Sequence, residues 1–395
     1  MYCATQFFIS LPRPIMKSNI KMLEAKPHYE LLDGLRGVAA LLVVIYHIFE
    51  GFAFAGSMNG VGSGLISTFN HGHIAVDFFF LLSGFVISYA YDDRWNRMTV
   101  GEFCKRRIIR LHPMLIMGAI LGALSFIASG YMRWDGTTTP FAWVMVAMLC
   151  MIFMIPAVPG VKYDVRGYGE MFSLNGPAWS LFFEYVGSII YALVLRRLTT
   201  KVIAVLAVVL GVLHAYFFVG DISQYNSVGV GWTIDVINFC GGLIRILFPF
   251  TIGMLLARTV KPRKVKGAFW ISSLLLVISF AVPYLGDNKG ISVNSLYEVL
   301  CIAILYPAII WLSVGGRSGD NTKKISSFLG KISYPLYISH YPIMYLFYMW
   351  LIRNKCYGLG DTLFAPMLVV ILSVLLAYGL LKFYDEPVRK WLTNR

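Results

Sequence analysis

The chain has 395 residues, 58% of them hydrophobic and only 14% charged, with a mean hydropathy of +0.69. A soluble domain carries roughly 25% charged residues, so too little polar side chain is present to cover a water-facing surface. Soluble, fibrous and disordered chains are thereby excluded. The formal charge of +14 comes from short Lys/Arg clusters set between apolar runs, as at 105–107 and 261–266. That is the placement of cytoplasmic loops in a multi-pass membrane protein, not of a nucleic-acid-binding stripe. The six cysteines are scattered without a Cys-x-x-Cys spacing, which suggests neither a zinc site nor a disulfide framework.

Residues 1–30 read as a cytoplasmic N-terminal segment, basic through Arg13, Lys17, Lys21 and Lys26, and residues 31–391 as one membrane domain. A bilayer crossing needs roughly 20 apolar residues. Eleven such runs lie near 31–52, 74–92, 107–130, 140–157, 178–197, 201–220, 238–258, 268–286, 295–314, 333–352 and 363–384. The loop 53–73 has no Lys or Arg, whereas 94–110, 196–201, 258–266, 317–331 and 382–395 are basic. Counted inward from both ends, these loops agree only if one of the two runs 140–157 and 178–197 does not cross. Pro140, Pro156 and Pro159 bound the first closely. The expected fold is all-α and polytopic, with about ten transmembrane helices, both termini cytoplasmic, and a re-entrant or externally packed segment near 140–177.

Ionisable residues inside such spans are expensive and mark candidate sites. In the first span, Arg36 and His47 are eleven residues apart. Three helical turns put both on one stripe, about 16 Å apart along the axis, with Asp33 just before them. The second span carries Asp77, which calls for a basic partner, and Ser83-Gly84, which allow close helix approach. His71 and His73 flank its outer end with no third ligand nearby in sequence, so no metal site is expected. Arg107 and Arg110 share a helix face at the cytoplasmic rim, and a guanidinium fork suits phosphate.

Further along, Gly176-Pro177 opens a helix carrying Trp179, read as an interfacial anchor, then Ser180 and an inward-facing Glu184. Arg245 interrupts a later span and Glu298 opens the one after it. Arg245 has Asp77, Glu184 and Glu298 as possible partners. The run from Ser333 and Tyr334 to His340 makes a polar start to the penultimate span.

The chain holds no Gly-x-Ser-x-Gly elbow, phosphate-binding loop, dinucleotide fingerprint or His-Glu-x-x-His. The remaining parts are a buried histidine, arginines reaching from the cytosolic side and carboxylates. They fit a cytosolic phosphorylated thioester donor and an external hydroxyl acceptor, with histidine as general base.

Six clusters in order carry a resemblance: Leu32-Asp-Gly-Leu-Arg36 with His47; Val76-Asp-Phe-Phe-Phe-Leu-Leu-Ser-Gly-Phe85; Arg107-Ile-Ile-Arg-Leu-His-Pro113; Pro177-Ala-Trp-Ser-Leu-Phe-Phe-Glu184; Ser333-Tyr-Pro-Leu-Tyr-Ile-Ser-His340; and Glu386-Pro387. Together they resemble the membrane acyltransferase 3 family, integral-membrane O-acyltransferases of bacterial surface glycans. The resemblance implies a bacterial inner-membrane enzyme with no permanently bound cofactor. Its donor would be acyl-CoA, usually acetyl-CoA, and its acceptor a carbohydrate such as lipopolysaccharide, capsule or exopolysaccharide. Arg36 and His47 match the family's Arg-x10-His pair, and Arg107 and Arg110 its Arg-x-x-Arg pair.

The expected roles are then catalysis by His47, Arg36 and Glu184 and acyl-CoA binding by Arg107 and Arg110. Asp33, Asp77, Trp179, Ser180, Arg245, Ser333, Tyr334 and His340 are expected to support them. Many relatives carry an extracytoplasmic hydrolase-like domain. This chain is expected to lack one and to transfer directly, with acceptor specificity in loops 53–73, 131–177 and 221–237. A transporter or flippase of a glycan-related substrate is the alternative, for which no inverted repeat is visible.

Overall fold

A computed structural model describes residues 29–61, 69–288, 291–316 and 318–395. Most of the expected N-terminal segment and part of the loop 53–73 lie outside the described residues. The described residues hold thirteen α-helices: α1 Glu30–Met58, α2 Ala75–Tyr91, α3 Val100–Ala128, α4 Phe141–Ile152, α5 Ala178–Leu193, α6 Thr200–Val219, α7 Val236–Thr259, α8 Ala268–Ala281, α9 Val293–Leu300, α10 Tyr306–Ser313, α11 Asp320–Asn354, α12 Phe364–Leu380 and α13 Glu386–Thr393. A 3-10 turn, His71–Ile74, leads into α2, and single π-turns join α9 to α10 and α12 to α13. The described strands form one two-residue hairpin, Asp287–Asn288 with Ile291–Ser292.

Eight of the helical stretches are long and apolar enough to cross a membrane, and this is an all-α, multi-pass membrane protein. Contacts at the two ends of the bundle show which elements run between them. Arg258 at the end of α7 bonds Asp92 at the end of α2. Glu298 on α9 meets His71 and His73 at the opposite end of α2. The chain therefore traverses the bundle between Thr259 and Val293, through α8 and its flanking coil. α11 likewise runs from Lys331, in one terminal cavity, to Tyr348 beside Glu50 at the other end.

By contrast, α3 ends and α5 begins at the same end of the bundle, where Ser129 accepts a bond from Arg353 and Pro177 lines a chamber beside His47. Helix α4 has 12 residues, about 18 Å, too short for about 30 Å of hydrocarbon. It turns back, and 153–177 packs as irregular backbone against α11 and the α6–α7 connection. Asn175 Nδ2 donates to the Ile338 carbonyl, and Met171 N–H to that of Trp232. Ten passages through the bundle result among the described residues.

Close helix pairs depend on small residues. Gly34 and Gly37 of α1 meet Ser326 and Leu329 of α11, while Gly84 of α2 meets the Phe250 carbonyl of α7 and Gly253 that of Leu81. A side chain at any of these would force the pair apart. Outward positions of α6 and α12, such as Val208, Tyr216 and Leu375, are exposed and apolar, as a lipid-facing surface requires.

Two expected boundaries shift. Helix α3 starts at Val100 rather than near 107, because Thr99 and Glu102 form a reciprocal capping box. Helix α11 starts at Asp320 rather than near 333, so the basic residues Lys323, Lys324 and Lys331 lie on a helix and not in a loop. Its 35 residues reach about 52 Å, which carries its first turns beyond the bilayer core.

Candidate active site

Three cavities succeed one another along the bundle. A charged vestibule is walled by Arg36, Arg94, Arg110, Lys331 and Arg389 and by Glu30, Asp33, Asp385 and Glu386, with Arg389 paired to Asp385. A narrow chamber follows, walled by Arg36, Ser83, Arg107, Arg110, Ser180, Glu184, Ser333, Tyr334 and Tyr337. Beyond it lies a wider aromatic chamber, which holds His47, Glu50, His73, Trp179, Ser227 and Arg245 together with Tyr46, Tyr168, Trp232 and Tyr341. Arg36, Arg110, Ser333 and Tyr334 wall both the vestibule and the narrow chamber. Val76 and Tyr337 wall both the narrow and the aromatic chambers.

The three-turn spacing on α1 is what lets one helix serve two chambers, presenting Arg36 to the narrow one and His47 to the aromatic one. Arg36 Nη1 is 3.0 Å from Asp33 Oδ1, one turn earlier. On α3, Arg107 is buried and donates to Glu184 Oε1 on α5, an oxygen that also accepts from Ser83 Oγ at 3.0 Å. The Arg107 Nε hydrogen meets no acceptor among the described residues. Arg110, one turn further on, presents its guanidinium to both the narrow chamber and the vestibule.

At the other end, His47 Nδ1 lies 2.6 Å from Glu50 Oε2. Glu50 also accepts from Tyr348 Oη at 2.8 Å. A carboxylate beside Nδ1 fixes the hydrogen there and leaves Nε2 as the basic nitrogen. The ring is further held by His340, stacked at 5.4 Å, and by Tyr341 edge-on at 4.8 Å. His340 is wholly buried, and its Nδ1 donates to the Leu336 carbonyl at 3.0 Å.

Arg245 and Asp77 form a bidentate pair at 3.1 and 2.6 Å, neither side chain exposed. Nη1 and Nη2 also donate to the Val230 and His73 carbonyls. Of the three possible partners for Arg245, Asp77 is the one it meets. Trp179 lies 5.0 Å from the guanidinium and is 9% exposed. It is thus an interior residue and not the interfacial anchor expected from its position. Arg107, expected among the phosphate ligands, is paired with Glu184 on the wall of the narrow chamber. Glu184 sits in a different chamber from His47, and the carboxylate beside His47 is Glu50.

Glu50 was legible, because it follows His47 by three residues and so shares its helix face. Glu170, from the irregular segment between α4 and α5, also lines the aromatic chamber and accepts from Tyr345 Oη at 2.9 Å. Burial pushes its carboxyl up to about 8. Nothing local in the sequence signals this residue, because its partner is 175 positions away.

Fold and cavities together define a multi-pass helical membrane protein whose arginine-lined and histidine-lined chambers share walls. The chain belongs to the acyltransferase 3 family, for the family model described as an acyltransferase domain matches residues 29–382. It is 35% identical over 202 residues to "Protein 2 in picA locus" of Rhizobium radiobacter, covering 47% of this chain and 95% of that one. It is 25% identical to "Acyltransferase MdmB" of Streptomyces mycarofaciens, over 79% of this chain and 78% of the relative. It is 24% identical to "Peptidoglycan O-acetyltransferase OatA" of Listeria monocytogenes, over 91% of this chain but 55% of that longer protein. No solved structure matches the chain. The protein is an acyltransferase.

Proposed function

We propose that this acyltransferase moves an acyl group, acetyl foremost, from acyl-coenzyme A to a hydroxyl of a carbohydrate held in the aromatic chamber. One observation carries the reading. His47, oriented by Glu50, opens into a chamber whose wall residues Val76 and Tyr337 also wall the chamber of Arg36, Arg107 and Arg110. Arg36 and Arg110, with Arg94, Lys331 and Arg389 of the vestibule, suit the phosphates of the donor. Tyr168 and Trp232, stacked at 5.9 Å, offer flat apolar faces to a sugar ring, and Glu50 and Glu170 offer acceptors for its hydroxyls. The name of the Listeria relative, a peptidoglycan O-acetyltransferase, supports a carbohydrate acceptor.

In the proposed step, the acceptor hydroxyl gives its proton to His47 Nε2 while its oxygen attacks the thioester carbonyl carbon. The C–S bond breaks, and the imidazolium returns the proton to the sulfur to release the free thiol. Glu50 stabilises the transient imidazolium, as a carboxylate does beside Nδ1 in serine hydrolases. The Lys and Arg residues near the vestibule end support a cytosolic position for that end, in a bacterial inner membrane, with the aromatic chamber towards the outer side. Tyr29 and Arg389 both line the vestibule, which supports a cytosolic position for both of these residues.

The test is purified protein in lipid vesicles supplied with labelled acetyl-CoA, with and without a saccharide mixture. The expected result is saccharide-dependent release of free thiol, with label recovered in the saccharide. Saccharide movement across the vesicle without thiol release would overturn the reading in favour of a transporter.

A further inference from the structure

At the vestibule end of the bundle a further cavity opens between the first turns of α11, the start of α1 and the turn that joins α12 to α13. Lys323, Lys324, Phe328 and Lys331 reach it from α11, with Tyr378 and Lys382 opposite. Helical spacing explains the cluster, since residues 324, 328 and 331 lie three or four apart on α11, and 323 and 331 two turns apart, so they share one face. Lys323 and Lys324 line this cavity and not the vestibule, and nothing in the transfer step uses them.

Lys323, Lys324 and Lys331 are exposed and make no ion pair among the described residues, whereas Lys382 bonds Glu386 at 2.9 Å. Glu30 is the acid that lines the cavity, so three ammonium groups face one carboxylate. Residues 1–28 bring four more cations and a single acid, Glu24, and do not supply the balancing charge. The opposite character lies directly beside the lysines. Phe328 and Tyr378 are exposed, with ring centroids 6.1 Å apart, and Ile325 and Leu375, one turn before each, are exposed as well.

Depth in the bilayer sorts these groups. Trp350 is exposed near the far end of α11, where an aromatic ring suits the opposite membrane interface. A hydrocarbon core of about 30 Å takes up about 20 helical residues, and counted back from Trp350 it ends near Gly330. The lysines therefore fall at headgroup depth and the two rings at the edge of the hydrocarbon.

We propose that this cavity binds an anionic phospholipid, its phosphodiester held among Lys323, Lys324 and Lys331 and its acyl chains lying over Phe328 and Tyr378. An ammonium binds phosphate as a point charge through rotatable hydrogens, which suits a headgroup entering sideways from the bilayer. Basic pockets between spanning helices hold anionic headgroups by this chemistry. Glu30, Ser327, Lys331 and Leu381 wall both this cavity and the vestibule, so the bound lipid completes one side of the vestibule. The proposal needs the membrane-spanning fold and not the acyl-transfer reading. The phosphates of acyl-CoA carry the same charge, and the experiment separates the two sources.

The full-length protein in detergent is titrated with dioleoylphosphatidylglycerol, dioleoylphosphatidylcholine or inorganic phosphate, with the thermal midpoint and native mass spectrometry as readouts. The expected result is a midpoint raised by phosphatidylglycerol alone, with the lipid retained on the chain. Lys323→Gln with Lys324→Gln should match the wild-type midpoint without lipid and need about tenfold more phosphatidylglycerol for the same shift. Lys323→Arg with Lys324→Arg keeps both charges and the shift, which guards against a folding failure of the first variant. In phosphatidylcholine vesicles the Gln variant should keep the wild-type KM for acetyl-CoA. Equal responses of wild type and Gln variant to phosphatidylglycerol, or an equal shift with phosphatidylcholine or inorganic phosphate, overturn the proposal. A raised KM with unchanged phosphatidylglycerol binding assigns the lysines to the donor and overturns it too. None of these outcomes bears on His47, whose reading stands or falls on thiol release.

Discussion

Two arginine–carboxylate pairs cross the interior of this bundle and do different work. Arg245 and Asp77 are sealed: neither is exposed, and the guanidinium is spent on a bidentate contact and two carbonyls. Arg107 and Glu184 share a single contact on the wall of the narrow chamber, where Glu184 is 24% exposed and Arg107 Nε finds no partner among the described residues. With four of its five N–H donors engaged, Arg245 has little left for a ligand, so the pair's main contribution is to hold α7 against α2. A pair with spare hydrogen-bonding capacity facing a cavity can exchange partners when an anion arrives. Charge inside a membrane marks a candidate site; the count of unused donors separates a site from a brace.

The largest effect expected from this contrast is on the sealed pair. Arg245→Met leaves Asp77 buried without a partner, which costs about 3–5 kcal/mol and should sharply lower the thermal midpoint of the detergent-solubilised protein. The double change Asp77→Leu with Arg245→Met removes both charges and should recover most of the loss. A single variant as stable as the wild type would show that water reaches the pair.

An intermediate effect is expected at the open side. Arg110→Gln removes a chamber-facing guanidinium whose hydrogen bond to a charged group is worth about 1.5 kcal/mol, so KM for acetyl-CoA should rise about tenfold. The thermal midpoint and kcat should change little, and steady-state kinetics at several salt concentrations would separate the cases. A fall in stability matching that of Arg245→Met would erase the distinction between brace and site.

A separate effect is a pH slope. The buried Glu170 carboxyl, pushed up to about 8 from an ordinary 4.5, binds its proton more tightly in the folded than in the unfolded chain. Stability contributed by the neutral carboxyl is therefore fully present below about 4.5 and declines as pH rises to about 8. Glu170→Gln should flatten that slope across the window, as read from thermal midpoints. An unchanged slope would assign it to other groups.

These contrasts also show what a sequence read without its structure carries. The spans were legible because a bilayer demands about 20 apolar residues, and the non-crossing α4 followed from charge on the flanking loops. The early start of α3 was written in Thr99 and Glu102 but was hidden behind the basic run 105–107. Glu50 was within reach through helical spacing. The choice of Asp77 for Arg245, 168 residues away, was open because three carboxylates satisfied the same electrostatic need. The meeting of Ser227, His73 and Glu298 is a product of the fold, since no spacing rule links a turn, a loop and a helix 154 and 71 residues apart.

The central claim is that His47, oriented by Glu50, is the base that activates the acceptor hydroxyl. The most direct measurement is saccharide acetylation by His47→Ala in vesicles with labelled acetyl-CoA, at matched protein abundance and a wild-type thermal midpoint. The expected result is a loss of transfer of roughly 100-fold or more, with acetyl-CoA affinity kept because Arg36 and Arg110 are untouched. Label entering the saccharide at the wild-type rate would contradict the account and leave His47 as a packing residue between Tyr341 and His340.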